Sequence, residues 1–276
     1  MTRTTASILN WLGSYVAWRG WAGFFLFVSH QVRTRLGKGT FTVTDPVIGD
    51  VRLRRGSSDL HVFRQLIVMR EYQPPHKQAR ELQTRYENVL ARGKLPLIID
   101  AGANIGLFTR TAVATFPEAR IVCVEPETAN LELARQNSAG FGNVHFEQAA
   151  LWHEAGTLKI SNHDVQPWAY SVEAAETGEG EVAAITVDQI LVKNPGSELI
   201  LIKIDIEGAE KAALPPDAAF WQHRPVIYIE PHDHFEGQSG SMRQIIGQPA
   251  YHDADFIVRG ENLLVFPANT SRNVCV

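Results

Sequence analysis

The stretch that decides the fold is LPLIIDAGANIGLFTRTAVAT, residues 95–115. It begins with LPLIID, an apolar run that suits a strand buried on both faces, and ends in a helical pattern from about Ile105 to Thr115. Between them, Gly102 permits a tight turn and Gly106 lets the helix pack close to the sheet. The helix start presents free N–H groups and a positive dipole end, so the stretch predicts a nucleotide-type binding loop.

The alternation of strand and helix continues on the C-terminal side of this loop. A helix is predicted over about 128–138, and FIVRGENLLVF (256–266) predicts a β-hairpin because a Gly-containing turn separates two apolar runs. Alternating units of this kind indicate an α/β fold, with a mostly parallel sheet and helices on both faces. The other predicted strands are RIVCVE (120–125), VHFEQAA (144–150), LILIKID (199–205) and VIYIE (226–230).

The chain therefore divides into three predicted segments. Residues 1–39 form an aromatic, apolar helical segment, and residues 40–94 form a β element with a helical, lid-like segment. Residues 95–276 form the binding domain, in which residues 155–187 are a β-rich insertion. That insertion offers aromatic candidates for acceptor contacts, namely His163, Trp168 and Tyr170.

The first segment carries an unusual concentration of aromatic side chains. Helical spacing places five residues on one predicted face: Trp11, Tyr15, Trp18, Ala22 and Phe25. Basic residues flank this region, with Arg3 before it and Arg33, Arg35 and Lys38 after it. Three interpretations stay open, namely a helix docked on the catalytic domain, a peripheral membrane contact through residues 8–38, and a membrane span. The central Arg19 and the short length disfavour a span.

Composition narrows the class of protein. The 276 residues carry a net charge of −4, which gives no electrostatic footprint for nucleic acid. Two cysteines, Cys123 and Cys275, exclude a disulfide scaffold and a cysteine-based zinc site. We therefore expect a reducing, cytoplasmic location, with membrane association as an addition to it.

The glycine loop suits S-adenosylmethionine better than a dinucleotide. A dinucleotide loop needs glycine where this chain has Asn104, because backbone must approach the pyrophosphate. This side chain disfavours an NAD-dependent oxidoreductase. The helix end can instead receive one carboxylate while Asp100 holds an ammonium group, and S-adenosylmethionine ends in such a zwitterion.

Residues after the second and third strands extend the predicted cofactor site. Glu125 follows Gly102 by 23 positions, a spacing that suits bonds to a ribose diol. Pro126 marks the start of the next helix, and Asn130 in its first turn can support the same ribose. Gln148 and Ala149 end the third strand, where they are placed to border the adenine.

Four stretches of this chain resemble the FkbM family of S-adenosylmethionine-dependent O-methyltransferases. They are DAGANIGLFT, EPETANLELARQN, LIKIDIEGAE and IYIEPH, within about residues 96–235. The resemblance implies a class I methyltransferase (Rossmann-like) fold with a seven-stranded sheet, in which the last hairpin supplies an antiparallel strand. It also implies cofactor-site positions at Asp100, Gly102, Asn104, Gly106, Glu125 and Asn130. Hydroxyl groups on polyketides, sugars and glycans are the family's substrates.

Polar side chains gather where strands four and five end. Period-two alternation places Lys203, Asp205 and Glu207 on one face, and Asp205 sits where the methyl group should lie. Lys203 is either part of the reaction or a structural ion-pair partner. Glu230 and His232 should lie near Asp205 if the two strands are neighbours.

These residues allow two ways to activate an acceptor hydroxyl. His232 or a carboxylate takes the proton as general base, or a divalent metal ion held by Asp205, Glu230 and His232 lowers the pKa of the hydroxyl. We favour the base, because nothing resembles a closed set of metal ligands.

The prediction is methyl transfer from S-adenosylmethionine to a hydroxyl of a carbohydrate or glycolipid-type acceptor. A polyketide or other small-molecule hydroxyl is the alternative acceptor. A non-catalytic S-adenosylmethionine-binding module is the alternative from another class.

Overall fold

The computed structural model describes residues 5–160, 172–174, 181–233 and 240–268. The chain forms two compact units, residues 1–71 and residues 72–276. This division does not coincide with the predicted boundaries after residues 39 and 94. The β element of the predicted middle segment belongs to the first unit, and its long helix belongs to the second.

The first unit joins helices to a small β-hairpin. Strands β1 and β2 pair in antiparallel fashion, from Thr40 opposite Arg54 to Asp45 opposite Gly49. A π-helical turn, Arg64–Val68, follows the second helix. The elements of this unit are α1 (Thr5–Arg35), β1 (Thr40–Asp45), β2 (Gly49–Arg54) and α2 (Asp59–Phe63).

Helix α1 is not the continuous helix that the spacing predicted. The backbone leaves the helical conformation at Arg19 and at Gly20, whose φ is 56°. The second half then folds back on the first, so that the hydroxyl of Tyr15 lies 3.0 Å from Nδ1 of His30. Gly23 allows the close approach, since a Cβ there would lie 1.9 Å from the carbonyl oxygen of Tyr15.

The break divides the predicted aromatic face. Trp11 and Tyr15 in the first half are buried, whereas Ala22 and Phe25 in the second half are exposed. The prediction of one shared face is therefore wrong, because the reversal at Gly20 turns the two halves in different directions. In the described part of the chain, no helix has the length and apolar character needed to cross a membrane.

The second unit is built on a seven-stranded sheet of order β12-β13-β11-β10-β3-β4-β5. Strands β3, β4, β5, β10 and β11 are mutually parallel, and β13 pairs in antiparallel fashion with both β11 and β12. This is the class I methyltransferase arrangement, and it confirms the predicted fold class, including the antiparallel strand from the last hairpin. The strands are β3 (Leu95–Ala101), β4 (Arg120–Val124), β5 (Val144–Glu147), β10 (Ser197–Ile204), β11 (Val226–Ile229), β12 (Asp255–Arg259) and β13 (Asn262–Phe266).

Helices and a second sheet complete this unit. A four-stranded sheet of order β6-β9-β7-β8 includes three strands from the predicted β-rich insertion. Its members are β6 (Ala150–Leu151), β7 (Gly156–Ile160), β8 (Val172–Ala174) and β9 (Glu181–Ile185). The helices are α3 (His76–Ala91), α4 (Leu107–Thr115), α5 (Thr128–Asn137), α6 (Val187–Lys193), α7 (Glu210–Ala213) and α8 (Ser241–Ile246).

Helix α3 is part of the methyltransferase unit because its buried side packs there. The ring of Tyr86 lies 5.2 Å from that of Phe116, and its hydroxyl accepts a hydrogen bond from the backbone N–H of Glu118. Arg85 donates to the carbonyl of His223. These contacts fix a helix that the sequence assigned to the segment before the binding domain.

The glycine loop is held against the end of β10. The backbone N–H of Asp205 donates to the carbonyl of Ala101, and the N–H groups of Gly102 and Ala103 donate to Val124. At Gly102 φ is +70°, and a Cβ would lie 1.7 Å from the carbonyl oxygen of Asp205. Only glycine fits a position with this conformation and so little space.

We predict that Gly102→Ala lowers the free energy of unfolding by about 3 kcal/mol or more, because the new methyl group must displace the end of β10. Urea unfolding measures the loss. Gly93→Ala is the matched control, because Gly93 has the same φ of +70° but a Cβ there would have no atom within 4 Å. That change should cost only about 1–2 kcal/mol. Equal losses at the two positions would contradict the role assigned to the contact with Asp205.

Candidate active site

A cleft opens where the carboxyl ends of β3, β4 and β10 meet, which is where open α/β sheets bind ligands. Gly102, Asp205 and Glu207 line this cleft. Five further residues that were predicted to bind the cofactor line the same cleft, namely Asn104, Glu125, Pro126, Asn130 and Ala149. The structure therefore brings most of the predicted cofactor set together with part of the predicted catalytic set.

Glu125 is buried at the centre of a ring of donors. Its carboxylate accepts hydrogen bonds from the backbone N–H groups of Asn104 (2.8 Å) and Glu127 (3.0 Å) and from the side chain of Asn130 (3.4 Å). Burial raises the pKa of Glu125 to about 7, in spite of these donors. They hold the carboxylate in a fixed orientation at the cleft wall, where a ribose diol would donate to it.

Asn104 occupies the turn of the glycine loop in a left-handed conformation, with φ of 50°. Asparagine tolerates this conformation better than most residues. Its Oδ1 is buried and has no hydrogen-bond partner among the described residues. A buried acceptor without a partner at the cleft fits a ligand that brings a donor such as an ammonium group, which S-adenosylmethionine carries.

Three residues predicted to bind the cofactor lie outside the lining of the cleft. Asp100 is fully buried, and its carboxylate accepts a hydrogen bond of 2.6 Å from Thr109. Gly106 packs against helix α5, where a Cβ would lie 3.1 Å from that of Ala134. Gln148 is exposed and donates to the hydroxyl of Thr128. Their predicted contacts with the cofactor stay predictions, and the structure gives each of them a partner within the protein.

Lys203 links the loop to the catalytic end of the sheet. Its register opposite Asp100 on β3 brings the ammonium group 3.5 Å from that carboxylate and 3.5 Å from Asp205. The same group donates to the carbonyls of Gly102 (2.6 Å) and Ala101 (3.3 Å). Burial by itself lowers the pKa of Lys203, but Asp205 and Asp100 raise it more, so the ammonium group stays charged. The structural ion pair, one of the two interpretations of Lys203, is present.

Asp205 is fixed by a tyrosine that the sequence did not identify. The hydroxyl of Tyr72 donates to the Asp205 carboxylate at 3.3 Å, and its ring packs against Phe108 and Tyr228. Burial and the nearby Asp205 raise the pKa of Tyr72 well above its ordinary value, so the phenol remains a donor. Asp205 keeps a quarter of its side chain exposed toward the cleft.

His232 is held by a second carboxylate that sequence reasoning missed. Its Nδ1 lies 2.8 Å from Glu210, which also accepts hydrogen bonds from the backbone N–H groups of Ile206 and Gly208. The Nε2 atom of His232 lies 3.5 Å from Glu207 and 3.7 Å from Glu230. Glu210 is the last residue of the KIDIEGAE stretch and the first residue of helix α7, three positions after Glu207. Its place in that stretch is the signal in the sequence that could have identified it.

Charge in this cluster shifts the pKa of several groups. Burial alone lowers the pKa of His232, but its hydrogen bond to Glu210 and the carboxylates of Glu210, Glu207 and Glu230 raise it. Burial and Asp205 raise the pKa of Glu230. Several groups with shifted pKa values in one cluster beside a cleft are typical of functional sites.

The residues able to hold a metal ion differ by one from the predicted set. Asp205, Glu207 and His232 each offer a ligand atom within 4.8 Å of the others. Glu207 thus replaces Glu230, because the backbone at Glu207 adopts a left-handed turn with φ of 54° that redirects the chain after Asp205. Glu210 on the far nitrogen of His232 is the kind of partner that orients metal-binding histidines.

Some predicted acceptor contacts lie outside the described residues. These are His163, Trp168 and Tyr170 in the insertion. Cys275 is also outside them, whereas Cys123 is a buried free thiol on β4.

Comparison with known protein families assigns the chain to one of them. The family profile of the methyltransferase FkbM domain matches residues 100–258, more than half of the sequence. The chain belongs to the FkbM methyltransferase family. S-adenosylmethionine is therefore the cofactor that both the sequence and the family assignment indicate, and the predicted family is confirmed.

Two fungal proteins are similar to this FkbM chain. The methyltransferase sdnD of Sordaria araneosa is 29% identical over 170 residues, which cover 49% of this chain and 66% of that protein. Methyltransferase 1 of Beauveria bassiana (strain ARSEF 2860) is 26% identical over 140 residues, covering 42% of this chain and 56% of that protein. The chain thus spans less than two thirds of the length of either relative.

Solved structures also resemble this FkbM chain at low identity. A methyltransferase from Geobacter sulfurreducens is 14% identical with a TM-score of 0.36, and the match covers 86% of this chain and 95% of that one. Because these values are low, the fold class rests on the strand order described above.

We predict that Lys203→Met lowers the free energy of unfolding by roughly 3–5 kcal/mol, because Asp100 becomes a buried charge without its cation. Urea unfolding measures this loss. Lys193→Met is the matched control, since Lys193 forms an exposed ion pair of 2.8 Å with Glu147. This substitution should lower the free energy of unfolding by less than about 1 kcal/mol. A loss at Lys203 no larger than at Lys193 would show that the buried pair does not hold the loop.

We also predict that S-adenosylhomocysteine binds roughly tenfold more tightly at about pH 8 than at about pH 6, because ribose hydroxyls donate to the ionised form of Glu125. Calorimetric titration of the full chain measures both affinities. The pKa of about 7 means that this carboxyl loses its proton within that interval.

Glu125→Gln should bind more weakly and remove most of the pH dependence, because an amide does not ionise there. Glu132→Gln is the control: it removes an exposed carboxylate on α5, and this variant should retain the pH dependence of binding. An unchanged pH dependence in Glu125→Gln would contradict the assignment of Glu125 to the ribose.

Proposed function

We propose that this chain transfers a methyl group from S-adenosylmethionine to a hydroxyl of a carbohydrate or glycolipid-type acceptor. The observation that carries the proposal is the pairing of His232 with Glu210 beside the exposed edge of Asp205. When bound, S-adenosylmethionine supplies an electrophilic methyl group on a positively charged sulfur.

The residues around Asp205 fit the needs of a hydroxyl acceptor. An alcohol is a weak nucleophile, and its proton must leave as its oxygen bonds to carbon. Because Glu210 holds Nδ1 of His232, the Nε2 atom is directed toward Glu207 and Glu230. In this proposal the neutral form of His232 takes the proton, so turnover should rise with pH as the imidazole loses the proton that its neighbouring carboxylates stabilise. Glu210 is a positioning residue that fixes the orientation of the imidazole.

The carboxylates support an uncharged acceptor with several hydroxyl groups. Asp205, Glu207 and Glu230 keep between 20% and 30% of their side chains exposed around the cluster. Carboxylates accept hydrogen bonds from sugar hydroxyls, and they repel a polyanionic acceptor. A polyketide or other small-molecule hydroxyl is the alternative, since one hydroxyl is enough for the same chemistry.

Two further alternatives are tested with the same protein. A divalent ion on Asp205, Glu207 and His232 would activate the hydroxyl in place of a base. Activity that a chelator removes and added metal restores would favour this route. A non-catalytic binding module would bind S-adenosylhomocysteine and methylate no acceptor.

We predict that Asp205→Ala abolishes methyl transfer while binding of S-adenosylhomocysteine stays measurable, because Asp205 contributes to the acceptor side of the cleft. Glu210→Gln should lower kcat roughly 10²-fold with little change in KM, because it weakens the hold on His232. It should also move the pH profile of kcat to lower pH, because it removes a carboxylate that raises the pKa of His232. Mass spectrometry after incubation with labelled S-adenosylmethionine and a panel of glycans and hydroxylated small molecules gives the readout.

Asp217→Asn changes an exposed carboxylate of the same unit and serves as the control, with wild-type activity expected. Full turnover by Asp205→Ala would disprove the assigned site. A Glu210→Gln variant with reduced kcat but an unaltered pH profile would reduce Glu210 to a structural role.

A further inference from the structure

The second half of helix α1 exposes a continuous row of large apolar side chains. Trp21, Phe25, Val28 and Val32 follow one another at helical spacing and form what we call the apolar stripe. Their exposed fractions are 82%, 68%, 42% and 47%. Single exposed apolar residues are ordinary on a protein surface, but a row of four on one helix marks a contact surface.

The reversal at Gly20 creates this surface. Tyr15 and Phe27 pack their rings 5.6 Å apart inside the first unit, so the two halves of α1 bury one side of the second half. The apolar stripe lies on a different side of the same half-helix. Trp21 lies next to the turn and is its most exposed member.

Basic side chains adjoin the far end of the apolar stripe. Arg33 and Arg35 lie in the last turn of α1, and Lys38 follows; all three are exposed. The wider distribution of charge agrees with this placement. Residues 1–71 hold ten Lys and Arg against four Asp and Glu, a net charge of +6, whereas residues 72–276 hold sixteen against twenty-six, a net charge of −10.

We propose that the apolar stripe and the adjoining basic residues bind the surface of an anionic lipid bilayer. A tryptophan and a phenylalanine beside cationic side chains are typical of helices that lie in the membrane interface without crossing it. The cations favour negatively charged headgroups, and the rings enter the region between headgroups and acyl chains.

A second copy of this chain is the rival occupant of the apolar stripe. A two-fold contact through the stripe would bring together two units that each carry a net charge of +6. The net charge of +6 therefore favours an anionic lipid surface over self-association. The proposal does not depend on the identity of the acceptor.

The test is flotation of the full chain with vesicles of phosphatidylcholine that contain about one third phosphatidylglycerol, at low and high salt. The wild-type chain should float with these vesicles and much less with pure phosphatidylcholine, and added salt should reduce the bound fraction. The double variant W21E/F25E should lower binding about tenfold or more, because two acidic groups replace the inserted rings.

Val192→Glu is the matched control, because Val192 is an apolar side chain with 81% exposure in the acidic second unit, and this variant should float like wild type. Circular dichroism and binding of S-adenosylhomocysteine show that each variant is folded. Absent flotation of the wild-type chain, or equal flotation of W21E/F25E, would overturn the proposal. A wild-type dimer in light scattering that W21E/F25E dissociates, without vesicle binding, would assign the apolar stripe to self-association instead.

Discussion

The buried ammonium group of Lys203 is the interaction on which the methyltransferase unit depends. It lies within 3.5 Å of two carboxylates, on Asp100 and Asp205, and donates to two carbonyls of the glycine loop. A buried charge is tolerated only when its partners are held in place. One side chain therefore sets the relation between β3, β10 and the loop, and it places the cofactor side of the cleft next to the acceptor side.

The catalytic end of the sheet combines this rigidity with local strain. Asn104 and Glu207, which both line the cleft, adopt left-handed backbone conformations, at φ of 50° and 54°. Such conformations cost energy and persist where the surrounding structure fixes them. Here the anchors are Glu125, which accepts from the backbone of Asn104, and Glu210, which accepts from the backbone on both sides of Glu207. The carboxylates that hold the loops thus also shape the chemistry of the site.

The two units of the chain differ in charge as well as in architecture. The acidic second unit holds the candidate active site, and the basic first unit carries the exposed apolar stripe. A net charge of −4 for the whole chain conceals this opposition. The net charge of the whole chain argues against nucleic acid as a partner. It gives no information about a membrane surface, because a membrane responds to the local charge of the surface that contacts it.

Much of the fold followed from the sequence because its signals are local. Apolar strands and the glycine loop predicted the sheet, and α3 (His76–Ala91) lies in the segment that was predicted to be helical. The break at Gly20 was missed, because one glycine within a helical pattern does not reveal whether the chain continues or reverses. Glu210 and Tyr72 were missed because their partners, His232 and Asp205, are distant in the sequence. The sequence by itself determined the sheet, the loop and most of the residues that line the cleft. Only the tertiary structure decided which carboxylate holds His232 and which carboxylates pair with Lys203, since strand register and loop conformation bring those groups together.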